Sequence, residues 1–113
     1  MKKIEAVIRP DSLDNVMAAL EQKGYPGIMV TEIEGHGKQK GVSQQWRGQE
    51  YKVDLLPKVK IEVVVGDKEA EDIINTISKV TKTGKIGDGK VFVTNIAEAV
   101  RIRTGERGDS ALN

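Results

Sequence analysis

The chain contains no cysteine, which removes disulfides, thiolate metal sites and cysteine nucleophiles together. It has one histidine, His36, so a metal site of three or four ligands or a nucleophile–base pair lacks its usual material. Aromatic residues number one Trp, two Tyr and one Phe. Phe92 is the only one on a strand-like segment, whereas an RNA-binding sheet needs several exposed rings for stacking. No long apolar run exists. The longest extends from Val16 to Leu20, and a membrane helix needs about 20 residues. No long apolar stretch follows Met1-Lys2-Lys3-Ile4-Glu5, so no signal peptide is expected, and the cytoplasm is the expected compartment. Neither sign of charge dominates: 18 basic against 17 acidic side chains give a net charge of +1. Such a balance provides no general attraction to nucleic acid or anionic membrane. No carboxylate pair stands isolated in apolar surroundings, as acid–base catalysis would require.

What is present is a duplication. The 113 residues have the size of one domain. Ile4, Ala6 and Ile8 alternate as on a half-buried strand. Pro10 ends that strand, and Asp11 or Ser12 can cap a helix. Leu13, Val16, Met17 and Leu20 follow at helical spacing, with Gly24 as a stop. A second strand is expected from about Ile28 to Ile33. Lys60-Ile61-Glu62-Val63-Val64 repeats Lys3-Ile4-Glu5-Ala6-Val7 at an offset of 57 residues. At that offset the helical positions land on Ala70, Ile73, Ile74 and Ile77. This predicts a second helix from after Asp67 to near Thr81 and a last strand over Val91 to Ala97. Two strand–helix–strand units predict an α+β, ferredoxin-like double βαβ sandwich. Its four-stranded antiparallel sheet has two helices on one face and a long loop between strands 2 and 3. If Ile4, Ile61 and Val91 face the helices, then Val7, Met29, Val64 and Phe92 face away. An apolar second face of that kind suits an oligomer interface or a ligand wall.

Three segments break the pattern. Gly35 to Pro57 is long for a loop without structure of its own. It contains Gly35, Gly37, Gly41 and Gly48 with Lys38, Lys40, Arg47 and Lys52. It reads either as a solvated hairpin or as a docking loop that responds to a ligand, with Trp46 as a partner anchor or a loop-packing residue. Thr83-Gly84-Lys85-Ile86-Gly87-Asp88-Gly89-Lys90 is rich enough in glycine and lysine to let backbone N–H groups approach an anion, and reads equally as an ordinary turn. It fits most of the Walker A pattern, but Val91 replaces the magnesium-binding Ser or Thr, and a strand rather than a helix follows. Arg101-Ile102-Arg103 reads as a solvated tail or, if the chain stays extended, as a fork for phosphate oxygens.

Taken together, Val30-Thr31-Glu32 before Gly35–Gly41, Trp46-Arg47-Gly48-Gln49-Glu50-Tyr51, Leu56-Pro57-Lys58-Val59-Lys60-Ile61-Glu62, Thr83–Lys90 and Arg101-Ile102-Arg103-Thr104-Gly105 resemble the PII signal-transduction family, in order and over essentially the whole chain. The resemblance implies one domain over 1–113, with a mobile regulatory loop at 36–57, a phosphate loop at 82–90 and a C-terminal segment at 98–113. It implies a homotrimer that binds ATP or ADP, Mg2+ and 2-oxoglutarate between neighbouring subunits. On the matching positions, Gly87, Asp88, Gly89, Lys90, Arg101 and Arg103 would hold phosphates. Val7, Gly35, Glu62 and Val64 would surround base and ribose. Gln39 would be the magnesium ligand, its amide oxygen suiting a hard cation. Lys58, with backbone N–H groups over Gly37, Lys38, Gln39, Lys40 and Gly41, would take 2-oxoglutarate. Met29 stands where the family often has Thr, whose hydroxyl helps to read adenine.

The function implied is non-catalytic. It is a sensor that regulates nitrogen assimilation by blocking an ammonium transporter, with Arg47 as the plug, Trp46 as an anchor and Tyr51 as the candidate modification position. Other nitrogen-metabolism enzymes are further candidate partners; nucleic acid binding and direct membrane insertion are not expected. The alternatives are a nitrogenase-regulating relative with the same ligand residues or, in a different class, a slow ATP-hydrolysing enzyme.

Overall fold

The computed structural model describes residues 1–25, 27–35, 43–46, 49–52 and 56–112. Strand β1 (Lys2–Ile8), helix α1 (Leu13–Gln22) and strand β2 (Met29–Gly35) form the first unit. Strands β3 (Ser43–Trp46) and β4 (Gln49–Lys52) follow, and the second unit is β5 (Leu56–Val65), α2 (Ala70–Thr81) and β6 (Lys90–Asn95). The main sheet has the order β2-β5-β1-β6 with every neighbouring pair antiparallel. The ferredoxin-like arrangement expected from the duplication is therefore the fold.

The two repeats pair with each other. Ile4 lies opposite Val63 and Ala6 opposite Ile61, so the inward residues of both central strands share one face. They form the core with Val16 and Leu20 of α1 and Ala70, Ile73 and Ile77 of α2. Burying one such aliphatic side chain stabilises the fold by about 1.5–3 kcal/mol. Leu13, Ile74 and Val91 pack against the cluster's margin.

Local chemistry sets the element ends. Both helices start through a 3-10 turn, Pro10–Ser12 and Asp67–Glu69. Ser12 occupies the cap position of α1, but its backbone is already helical, at φ −87° and ψ −11°, and its side chain makes no cap hydrogen bond, since a capping residue has extended dihedrals. Gly24 ends α1 at a φ of 85°. Tyr25 N donates to Leu20 O and Gly24 N to Glu21 O, the paired bonds that close a helix on a left-handed glycine.

Three boundaries differ from expectation. β2 runs on to Gly35 and β5 begins at Leu56, because Gly35 and Leu56 pair across the two strands. β6 spans Lys90–Asn95 rather than ending at Ala97, although Ile96 N still donates to Met1 O. The segment read as irregular contains a two-stranded hairpin, with Trp46 opposite Gln49 and Ser43 opposite Lys52. Among the described residues no helix is long and apolar enough to cross a membrane.

Candidate functional site

The glycine-rich segment leaves α2 at Thr81, whose buried hydroxyl donates to Ile77 O. Gly84, Gly87 and Gly89 have φ of 84°, 102° and 112°, a region that L side chains rarely adopt. Asp88 is the hub of the loop. Its carboxylate accepts from Thr83 N at 2.8 Å, Gly84 N at 2.8 Å and Thr83 Oγ1 at 2.5 Å. It also accepts from Arg9 Nη1 at 2.6 Å. The Thr83 hydroxyl, then Arg9, then the backbone N–H groups hold this carboxyl far below the usual range for an aspartate. The Asp88 side chain is thus turned into the loop, and only its backbone is left for an anion. Arg9 Nη2 also donates to Ile86 O at 3.0 Å. At the far end of the loop, a Cβ on Gly89 would stand 2.0 Å from Val7 O, so the chain passes directly against the end of β1.

The sheet face away from the helices carries Val7, Glu62, Val64, Met29 and Phe92, as the alternation predicts. Met29 and Phe92 are 52% and 49% exposed. The face is not simply apolar, however. The same alternation places Lys3, Glu5, Lys60 and Glu62 there. Lys3 Nζ lies 3.4 Å from Glu62 and 3.8 Å from Glu5, and Lys60 Nζ 3.6 Å from Glu62. The expectation of an apolar wall omitted these charges, which the Lys-Ile-Glu repeat delivers to the outer face as surely as it delivers isoleucine to the core. Lys90 stands opposite Val7 on β6.

Lys58 lies opposite Ile33 and directs its ammonium toward Gly87 O at 3.4 Å. Burial first, then the nearby Arg9 charge, lowers its pKa. A groove of about 550 Å³ lined by Pro10, Glu32, Glu34, Pro57 and Lys58 flanks it. A larger concavity, about 1030 Å³, lies at the other end of the sheet, among Met1, Tyr25, Asp67, Asp109 and Leu112.

The arginine pair is not an extended fork. Gly105 N donates to Arg101 O at 2.7 Å and Arg101 N to Glu106 O at 2.8 Å, with Gly105 at a φ of 77°. The chain turns over Ile102–Thr104, so alternation does not place Arg101 and Arg103 on one side. Arg101 Nη1 meets Glu106 Oε1 at 2.6 Å and its Nη2 donates to Ser110 O at 3.1 Å. Ile102 between them is 99% exposed.

The structure therefore joins Lys58, the 82–90 loop and the Val7 end of β1. Arg101 lies instead near the Met1 end, because β6 carries the chain from Lys90, opposite Val7, to Asn95, opposite Lys2. Six strand residues span about 17 Å. Gly35 pairs with Leu56, and Trp46 and Tyr51 lie on the hairpin strands. Gly37, Lys38, Gln39, Lys40, Gly41 and Arg47 lie outside the described residues, as does His36, and with them the proposed magnesium ligand. Arg9 was not anticipated at all. No spacing rule relates it to a partner 79 residues away.

The family model described as "Nitrogen regulatory protein P-II" matches residues 1–106. The chain is 59% identical over 112 residues to the nitrogen regulatory protein P-II of Mesorhizobium japonicum, covering 99% of this chain and 100% of the relative. It is 53% identical to P-II 1 of Escherichia coli K12, with the same coverage. It is 50% identical to P-II 2 of Methanothermobacter thermautotrophicus, covering 99% of this chain and 97% of that protein.

Proposed function

The chain belongs to the nitrogen regulatory protein P-II family, and from that premise we propose that it is a non-catalytic sensor of ATP or ADP and 2-oxoglutarate. It works as a homotrimer whose nucleotide sites are shared between subunits, and it regulates nitrogen assimilation in the cytoplasm through an ammonium transporter. The observation that carries this reading is the separation of the two phosphate-binding clusters. The 82–90 loop sits at the Val7 end of the sheet and Arg101 at the Met1 end, an arrangement that suits a nucleotide held by the loop of one copy and the arginines of its neighbour. The half-exposed Met29 and Phe92 and the fully exposed Ile102 supply apolar surface for that association.

The residues fit the ligands by their chemistry. The positive-φ glycines of the loop open its backbone to a phosphate, and Lys90, Arg101 and Arg103 add charge. Glu62 and Val64 lie on the sheet face reserved for ribose and base. Lys58 offers an ammonium to a carboxylate beside the loop. Gln39 would hold magnesium. Loop residues Arg47 and Trp46 would meet the transporter, and Tyr51 would be the modification position.

Complementation tests the shared site. A Gly89→Ala chain and an Arg101→Ala/Arg103→Ala chain should each bind ADP poorly, and their co-assembled mixture should regain binding sites. Sedimentation should give about three times the 12.4 kDa chain mass. A monomer, or a mixture no better than its components, contradicts the reading. Arg47→Ala should bind ADP normally but no longer retain the transporter in membrane pull-downs. Failure to capture any ammonium transporter moves the nitrogenase-regulating alternative ahead.

A further inference from the structure

The glycine loop is restrained from outside by two cations. Arg9, just beyond β1, donates Nη1 to Asp88 and Nη2 to Ile86 O. Lys58 points its ammonium at Gly87 O. Among the described residues there are no cis peptide bonds, and in a trans peptide the carbonyl and the N–H of the following residue point in opposite directions. Fixing Ile86 O toward Arg9 therefore aims Gly87 N–H the other way, and Lys58 does the same for Asp88 N–H. Asp88 N–H closes the turn over Ile86 and Gly87, whereas among the described residues Gly87 N–H has no hydrogen-bond partner. The Gly87 donor is thus turned away from the guanidinium and left open to an anion.

We propose that Arg9 is a positioning residue for nucleotide phosphate. It would act on the loop rather than on the nucleotide itself. One planar guanidinium sets the orientation of the Ile86–Gly87 peptide and neutralises the Asp88 carboxylate, whose other partners, Thr83 and Gly84, are uncharged. Only a fork of donors can do both, since an ammonium carries its charge at a single point. The inference rests on the reading that the loop takes phosphate, and its test separates the two.

Calorimetry of the assembled protein with ADP and with adenosine, each for wild type, Arg9→Ala and Arg9→Lys, decides it. Arg9→Ala should weaken ADP about 10- to 100-fold, the effect expected of losing a charge-assisted tether. It should leave adenosine, which has no phosphate, within about twofold. Arg9→Lys should recover part of the ADP loss. If the wild type binds adenosine and ADP equally, the loop does not read phosphate and both ideas fall. If the wild type favours ADP and Arg9→Ala retains that preference, the phosphate loop stands and the role of Arg9 is refuted. Equal losses for ADP and adenosine would make Arg9 a general structural residue and likewise overturn the proposal.

Discussion

Gly89→Ala is the sharpest perturbation available at the loop. Two costs add at this position. A φ of 112° is strained for any L side chain, at about 1–3 kcal/mol. The new Cβ would also lie 2.0 Å from Val7 O, 3.0 Å from Val7 C and 3.3 Å from Ile8 Cα. A carbon–oxygen contact normally settles near 3.3 Å, so the chains must part by about 1.3 Å. All three obstacles are backbone atoms of a paired strand, and no side chain can swing aside. The loop end must therefore lift away from β1. Gly84→Ala is the internal control. Its φ of 84° is also left-handed, but no atom lies within 4 Å of its would-be Cβ. It should cost only the conformational strain, about 1–2 kcal/mol. Chemical denaturation of each variant gives stability, and calorimetry with ADP gives binding. Gly89→Ala should lose at least about tenfold in ADP affinity, or 1.4 kcal/mol, beyond any loss seen with Gly84→Ala. Equal effects from the two substitutions would show that the close approach at Val7 does not govern the loop.

Two further outcomes follow from the packing and the charges. The Asp88 carboxyl is held below its ordinary value of about 3.9 by Thr83, Arg9 and Gly84. A carboxyl depressed in the folded state contributes stability that is present above the unfolded value and lost as pH falls toward the folded one. Denaturation midpoints measured between pH 7 and pH 2 should therefore fall less steeply for Asp88→Asn than for the wild type, and parallel curves would contradict the bonding described. Leu20 is fully buried among Ile4, Ile73 and Ile77, so Leu20→Ala should cost about 2–5 kcal/mol by denaturant titration, and a loss below 1 kcal/mol would mean that the core collapses around the gap.

Periodic features were legible in the sequence because they are local. Lys3-Ile4-Glu5 and Lys60-Ile61-Glu62 announce two strands, and their mutual pairing, Ala6 against Ile61, follows once both must cover the same helices. The hairpin of β3 and β4 was not legible. Ser43-Gln44-Gln45-Trp46 and Gln49-Glu50-Tyr51-Lys52 lack the apolar alternation by which a half-buried strand is recognised, and their pairing rests on backbone hydrogen bonds. The C-terminal turn is not legible in the sequence, where Arg101-Ile102-Arg103 fits a solvated tail or an extended fork and no periodicity marks Arg101 and Glu106 as partners. Their contact makes the chain reverse.

The site itself reverses the order of proximity that a linear reading suggests. Lys90 and Arg101 are near neighbours in sequence and carry the same kind of chemistry, yet β6 takes them to opposite ends of the sheet. Arg9 and Asp88 stand 79 residues apart and lie 2.6 Å apart in space. An antiparallel sheet does this by construction, since each crossing moves the chain about 17 Å away while pairing it with a distant strand. The residues proposed to hold phosphate are thereby split within one chain, and the charges bonded to the 82–90 loop are gathered from distant parts of the sequence. Under the proposed function a nucleotide would bridge two copies to reach both clusters, and removing either cluster from one chain should be repaired by a neighbour that keeps it.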